Sequence, residues 1–184
     1  MDQPPQNALK AWAKEYGVQP FFFVQTSKAR KRVIAWSGDA EQVKSAFYKL
    51  LEHFPFDVEV MLKIMFSLED KEPQWQKFHA HVNRTQLIHA VQQNELYVFS
   101  DGMNQIWIRD TETKEYFAFD EHGIFFIYSG SAAFSETLTS LGFQEKYEDP
   151  IYSRSHFHHR PSQLEYMEMK FVSELNLKKV ASDL

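Results

Sequence analysis

Four short runs of β-branched and aromatic residues between positions 95 and 128 constrain the fold more than any other part of the chain. The runs are separated by residues that favour turns, such as Ser, Asp, Gly and Asn, and each run is about as long as one strand. This alternation of runs and turns is typical of an antiparallel meander. The predicted strands are Glu95–Phe99, Gln105–Arg109, Glu115–Phe119 and Ile124–Tyr128.

Helix patterns with capping residues flank this segment. Asn83 and Gln86 are spaced as a capping pair for a helix that ends near Gln93, and Ser131 is placed to cap a helix that Gly142 closes. The other predicted helices are Ala8–Tyr16, one that begins at Asp39, and one that begins at the capping box Ser162–Glu165. Together these elements predict an α+β fold, in which helices pack against a mainly antiparallel sheet with its meander over 95–128.

Three further strands are predicted at Pro20–Thr26, Arg32–Trp36 and Asp57–Ser67. The segment 69–78 is charged and contains Pro73, so it is predicted to be a linker. A chain of 184 residues is long enough for one good core. We therefore predict a single α+β domain over 1–184, with two subdomains, 1–68 and 79–184, as the alternative.

Composition narrows the function classes. The absence of cysteine excludes disulfide scaffolds, cysteine nucleophiles and thiolate metal sites. The first residues lack the features of a secretory signal, and no apolar run approaches the ~20 residues that span a bilayer. We therefore predict a cytoplasmic protein with no membrane partner. The formal net charge is −5, and the acid surplus lies between Glu69 and Tyr128, which favours a basic partner over nucleic acid.

Four of the eight histidines form two His-x-His pairs, His79 with His81 and His156 with His158. Residues i and i+2 of a strand share a face, so each pair offers two imidazoles to one divalent metal ion. If the two pairs met in space, four nitrogen ligands would suit zinc, nickel or copper. The competing interpretation is that these histidines are hydrogen-bonded structural or surface residues.

Other chemistries have less support in the sequence. There is no Gly-x-Ser-x-Gly elbow, and only six glycines are available for a phosphate-binding loop. The basic cluster Lys28–Arg32 is typical of a solvated hairpin tip. We therefore predict no catalytic residue and no cofactor, and we do not expect a nucleic-acid partner.

Aromatic and acidic side chains of the predicted meander form a candidate partner-binding surface. Interfaces favour rings for burial and charges for steering. The candidate residues are Trp107, Glu112, Glu115, Tyr116, Phe117, Asp120 and Glu121. The competing interpretation is that the rings belong to a two-sided core and that the acids only keep the turns soluble.

Three stretches give the second half of the chain a recognisable layout, namely Glu95-Leu-Tyr-Val-Phe-Ser-Asp-Gly, Asp120-Glu-His-Gly-Ile-Phe-Phe-Ile-Tyr and His156-Phe-His-His-Arg. This layout resembles the small acidic α+β immunity proteins of bacterial polymorphic-toxin and contact-dependent inhibition systems. The resemblance covers about half of the chain and is one of general appearance, since those families lack a short diagnostic motif. It implies a non-catalytic protein that occludes a cognate toxin, often a basic nuclease, by charge and shape complementarity.

These observations predict two functions of different class. The first is a non-enzymatic, cytoplasmic protein-binding domain, with an inhibitor of a basic, nuclease-like toxin as its most specific form. The alternative is a metal-dependent hydrolase or metal-binding protein that uses the His-x-His pairs. A third interpretation is a structural or regulatory domain whose partner comes from its own oligomer, and the sequence does not define the oligomeric state.

Overall fold

A computed structural model describes residues 9–13, 19–26, 31–67, 74–149, 155–161 and 163–180. The helices are α1 (Ala40–Leu51), α2 (Arg84–Gln93), α3 (Glu95–Ser100), α4 (Ala133–Ser140) and α5 (Leu164–Glu174). The longer strands are β2 (Phe21–Thr26), β3 (Lys31–Trp36), β4 (Asp57–Ser67), β5 (Gln74–Asn83), β6 (Asn104–Arg109), β7 (Tyr116–Phe119) and β8 (Phe125–Tyr128). The short strands are β1 (Ala11–Ala13), β9 (Gln144–Glu145), β10 (His156–His158) and β11 (Lys178–Lys179).

Among the described residues, nine strands form one sheet in the order β11-β5-β4-β6-β7-β8-β3-β2-β9. All neighbouring strands run antiparallel except β2 and β9, which are parallel. Strands β1 and β10 pair with each other as a separate antiparallel ribbon, with Ala11 opposite His158 and Ala13 opposite His156. The predicted α+β class with a mainly antiparallel sheet is therefore confirmed.

The predicted four-stranded meander is wrong in its first strand. The run Glu95–Phe99 forms helix α3, and the place beside β6 is taken by β4, from much earlier in the chain. The other three predicted strands of the meander form β6, β7 and β8, which lie side by side in chain order. A short apolar run fits a buried helix as well as a strand, so the long-range pairing of β4 decides the outcome.

Two predictions at the borders of the described ranges change in a similar way. The predicted helix Ala8–Tyr16 is a strand over Ala11–Ala13, because these residues pair with β10, while residues 8 and 14–16 lie outside the described ranges. Residues 74–78 of the predicted linker belong to β5, and residues 69–73 lie outside the described ranges. The division into two subdomains stays a prediction, although β4 from the first lies between β5 and β6 from the second.

The predicted caps Asp39 and Asn83 are confirmed, and the predicted cap Ser131 is wrong. Asp39 accepts a hydrogen bond from the Gln42 amide at 2.8 Å, and Asn83 accepts one from the Gln86 amide at 2.8 Å, so each fixes the start of a helix. The cap position of α4 is occupied by Ala132, which makes no side-chain bond to the helix. Ser131 lies one residue earlier and accepts from the amide of Ala133 at 3.2 Å. Ser162 lies outside the described ranges, so its capping box stays a prediction.

The strands alternate between two faces of the sheet, and the helices cover one of them. Strand β4 shows the pattern predicted from its sequence, with Val58, Val60 and Leu62 buried against the helices and Glu59 and Lys63 on the opposite face. Side chains from all five helices join the core on the covered face. No helix in the described part of the chain is both long and apolar enough to cross a membrane.

Candidate metal centre

Three histidines meet at one end of the β7–β8 hairpin. His156 and His158 alternate along β10 and share a face, with ring centroids 5.4 Å apart. His122, in the turn between β7 and β8, places its ring 5.1 Å from that of His156 and 4.8 Å from that of His158. One nitrogen of each ring lies within 4.8 Å of the other two, so the three imidazoles can converge on one metal ion.

A tight turn fixes the position of His122. The side-chain oxygen Oδ1 of Asp120 accepts the backbone N–H groups of His122, at 3.0 Å, and of Ile124, at 2.8 Å. Gly123 supplies the positive φ of 75° that the turn requires. The sequence Asp-Glu-His-Gly therefore folds locally in a way that carries His122 towards β10.

Oxygen acceptors orient two of the three rings. The Nδ1 atom of His158 lies 3.3 Å from the backbone oxygen of Glu121, and since a carbonyl only accepts, this nitrogen carries the hydrogen. The Nδ1 atom of His122 lies 3.2 Å from Oδ2 of Asp120. Metal-binding histidines usually donate one ring N–H to a carbonyl or carboxylate, which leaves Nε2 as the ligand atom. Both rings have this arrangement.

The pKa values of His158 and His122 shift in opposite directions. Burial lowers the pKa of His158, and the neighbouring His122 and His156 lower it further by charge repulsion. Burial alone would also lower the pKa of His122, but the hydrogen bond and charge of Asp120, with the charge of Glu121, outweigh it and raise the pKa. Without a metal, His122 therefore holds its proton to higher pH than an ordinary histidine, and a metal ion would displace that proton.

Backbone hydrogen bonds hold the β1–β10 ribbon against the turn that precedes β6. The amide of Gly102 donates to the oxygen of His159 at 2.7 Å, and the amide of His159 donates to the oxygen of Lys10 at 2.9 Å. A Cβ atom at Gly102 would collide with the oxygen of Lys10 and would lie 2.8 Å from Cβ of His158. Glycine at this position therefore permits the close approach that brings β10 to His122.

A fully buried lysine lies beside the centre. The Nζ atom of Lys10 donates to the backbone oxygen of Asn104 at 2.8 Å and also to the Asn104 side chain, and it lies 4.6 Å from the ring centroid of Phe119. Burial lowers the pKa of Lys10 to about 8, against the opposing charges of Asp101, Asp120 and Glu121. This cation partly balances the acidic side chains around the histidines.

The other predicted pair, His79 and His81, lies on β5 and does not join this group. Their ring centroids are 5.0 Å apart, and Nε2 of His79 lies 3.1 Å from a carboxylate oxygen of Glu59. Glu59 also pairs with Arg109 at 3.3 Å. In the described ranges, neither histidine has two further ligand atoms gathered within 4.8 Å, so the predicted four-histidine site is not formed.

The aromatic residues predicted to bind a partner divide between the two faces of the sheet. Phe117 is completely buried in the core beneath the helices, so the structure does not place it on a surface. Trp107 and Tyr116 are partly exposed on the opposite face, with nearly parallel rings 5.4 Å apart.

The acidic residues predicted with them are scattered and mostly engaged within the chain. Glu115 accepts from the hydroxyl of Ser129 at 2.7 Å, and Glu121 accepts from the side-chain amide of Gln105 at 2.5 Å. Asp120 forms the turn beside His122, and Glu112 is exposed in the β6–β7 turn. Three of these four carboxylates therefore have hydrogen-bond partners within the chain.

Sequence reasoning found two of the three clustered histidines. His122, the supporting Asp120 and the buried Lys10 were missed as parts of a metal site. The Asp-Glu-His-Gly turn was the available signal, because an Asp two residues before a His can hold both its amide and its ring. The pairing of β1 with β10, which brings the ribbon to this turn, has no comparable local signal.

Comparison with known proteins finds no matching family model, and no curated protein or solved structure that matches the chain. The functional assignment therefore rests on the chemistry of the site.

Proposed function

We propose that the chain is a metal-binding protein that holds one divalent transition-metal ion at His122, His156 and His158. The observation that carries this proposal is the convergence of the three rings, two of them turned by oxygen acceptors on Nδ1. The three imidazoles would repel one another if they were protonated, whereas a bound metal ion requires them to be neutral and close.

Zinc is the ion that best fits this donor set. Imidazole nitrogen suits zinc, copper and nickel, and zinc accepts tetrahedral sites with three protein ligands. Asp120 and Glu121 lie within 4.8 Å of a His122 nitrogen, so a carboxylate is available to orient a ligand or to complete the coordination. Three histidines alone leave one position for water, whose pKa a bound zinc ion lowers to about 7.

The other predicted functions stay predictions. A metal-dependent hydrolase would use the water position of this centre, and no substrate is assigned to it. A non-enzymatic protein-binding domain, including an inhibitor of a basic toxin, would use Trp107 and Tyr116, which remain partly exposed.

Metal titration of protein purified without a histidine tag tests the proposal. Zinc competition against a chromophoric chelator should give about one tight site per chain, and His122→Ala should remove it. His89→Ala is the matched control, because His89 is exposed on α2 and outside the cluster. Elemental analysis of the untreated protein gives the resident metal.

Two results would reject the proposal. One is that the wild-type protein binds less than about 0.1 zinc ion per chain when the chelator holds free zinc at a saturating concentration. The other is a His122→Ala variant that binds zinc as tightly as His89→Ala does. Circular dichroism of the variants separates a lost site from a lost fold.

A further inference from the structure

A row of five side chains crosses the sheet on the face opposite the five described helices. Its members, in spatial order, are Lys63, Trp107, Tyr116, Tyr128 and Arg32, one from each of five neighbouring strands. The ring centroids are 5.4 Å apart for Trp107 and Tyr116 and 4.4 Å apart for Tyr116 and Tyr128. We call this set the aromatic row, and all of its members are partly exposed.

The faces of the three rings are occupied within the row. Nζ of Lys63 lies 4.1 Å from the Trp107 ring centroid, and Cζ of Arg32 lies 5.7 Å from that of Tyr128, so a cation closes each end. Since the rings stack along the direction from strand to strand, they stand upright and point their edges outwards. The row therefore presents ring edges and tyrosine hydroxyls between its two cations, and the hydroxyl of Tyr128 accepts from Arg32 at 3.0 Å.

More cations lie around the row. Lys77 stands directly opposite Lys63 across β4 and β5, and Arg109 follows Trp107 on the same face of β6. A cleft of 280 Å³ beside the row is lined by Glu59, Met61, Trp107, Arg109, Lys114 and Tyr116. Glu59 lines the cleft and is shared between Arg109 and His79, and a second carboxylate, Glu121, lies near enough to attract the charge of Lys63. The local charge is therefore opposite in sign to the net charge of −5 of the whole chain.

The Lys63–Lys77 pair points to an anion. Like charges directly opposite each other on a sheet destabilise it, and nothing in the covered core requires two lysines at these exposed or partly exposed positions. Burial lowers the pKa of Lys63, and repulsion from Lys77 lowers it further, against the attraction of Glu121. A carboxylate placed between the two ammonium groups would remove this repulsion.

We propose that the aromatic row and its flanking cations bind an acidic segment of a partner protein. Its carboxylates would pair with Lys63 and Lys77 and with Arg109, and its apolar side chains would lie on the ring edges. Single-stranded nucleic acid fits less well, because bases stack on ring faces and these faces are already covered. The charge of this partner is opposite to that of the basic partner predicted from the net charge, and the surface includes none of the three clustered histidines.

Fluorescence anisotropy with three labelled probes tests this proposal. The probes are a twelve-residue peptide of Glu, Asp and Leu, the same peptide with Gln and Asn in place of the acids, and an oligothymidine of equal length. We expect the acidic peptide to bind at least about tenfold more tightly than either of the others and to weaken with added salt. Lys63→Gln/Lys77→Gln should weaken it about tenfold, and Arg109→Gln is a second, independent variant.

Lys49→Gln is the matched control, because Lys49 is an exposed cation on α1, on the helix-covered side. Unchanged binding in this variant, with loss in the other two, supports the proposal. Three results overturn it: equal binding of the acidic and neutral peptides, tighter binding of the oligothymidine, or equal loss in Lys49→Gln. The same variants should bind zinc as the wild-type protein does. A loss of peptide binding can therefore be distinguished from a loss of the metal site.

Discussion

The two His-x-His pairs share their spacing and their strand setting, yet the structure gives them different surroundings. His156 and His158 meet a third imidazole, from His122, whereas His79 and His81 have a carboxylate and an arginine beside them. The spacing alone therefore predicts which two rings share a face, and a distant segment decides whether they form a metal site.

The nitrogen that is engaged differs between the pairs. Glu59 contacts Nε2 of His79, the atom that projects furthest from the strand, and so competes with a metal ion for it. The acceptors of His122 and His158 contact Nδ1 instead. The position of a hydrogen-bond acceptor around the ring thus separates a ligand from a surface histidine.

Removing both histidines of one pair should give the largest effect. With free zinc about 100-fold above the dissociation constant, binding adds about 2.7 kcal/mol to the free energy of unfolding, or several degrees in Tm. His156→Ala/His158→Ala should lose this gain completely, and His79→Ala/His81→Ala should retain it. Thermal unfolding with and without zinc measures the difference. A zinc-dependent shift that survives the first change, or disappears with the second, would contradict the comparison.

Replacing one carboxylate beside each histidine group by its amide should affect zinc affinity at one group and not at the other. Asp120→Asn keeps Oδ1, which holds the turn, but replaces Oδ2, which faces His122, so zinc affinity should fall about 10- to 100-fold. Glu59→Gln makes the same chemical change beside His79 and should leave zinc affinity as it is. Competition titration checks both variants, and equal affinities in the two would show that Asp120 does not orient a ligand.

Lys10 is a buried cation beside His156 and His158, and its low pKa should make the stability of the protein depend on pH in the alkaline range. Between the folded pKa of Lys10, about 8, and its ordinary value of 10.5, the unfolded chain binds a proton that the folded chain does not. The free energy of unfolding should therefore rise by about 2 kcal/mol from pH 8 to pH 9.5 through this group.

Lys10→Met should remove that rise, while Lys77→Met, an exposed lysine two residues before His79, should keep it. Urea unfolding at the two pH values gives the slopes. Identical slopes in wild type and Lys10→Met would show that Lys10 does not change its protonation on folding in this range.

The smallest effect is expected for the ion pairs of Glu59. Its contacts with His79 and Arg109 are partly exposed to solvent, so Glu59→Gln should lower the free energy of unfolding by less than about 1 kcal/mol. Denaturant unfolding at neutral pH measures it. A loss of more than about 2 kcal/mol would mean that the first pair is part of a strongly coupled network.

Local sequence signals predicted the elements whose ends are fixed by neighbouring residues. Asp39 and Asn83 cap their helices through bonds to residues three positions on, and the alternation of β4 follows from its own composition. The prediction of a strand over Glu95–Phe99 was wrong because β4, about thirty residues earlier, pairs with β6. No local signal in the run itself shows this long-range pairing.

The candidate site was half predicted for the same reason. The alternation of His156 and His158 is a local property, but the contact with His122 depends on the pairing of β1 with β10 and on the turn after β7. Phe117 and Trp107 were predicted to lie on the same surface. Phe117 is buried because it lies on the face that the helices cover, and Trp107 is partly exposed on the opposite face.

At Gly102 the backbone that leads into β6 lies directly against the β1–β10 ribbon, with no side chain between them. The amide of Gly102 bonds to His159, and the space where a side chain would begin is filled by Lys10 and His158. Each larger residue at this position would move β10, with His156 and His158, away from His122 without changing the identity of any of the three histidines. A series of substitutions of increasing size at Gly102 would therefore show how zinc affinity depends on the distance between β10 and His122.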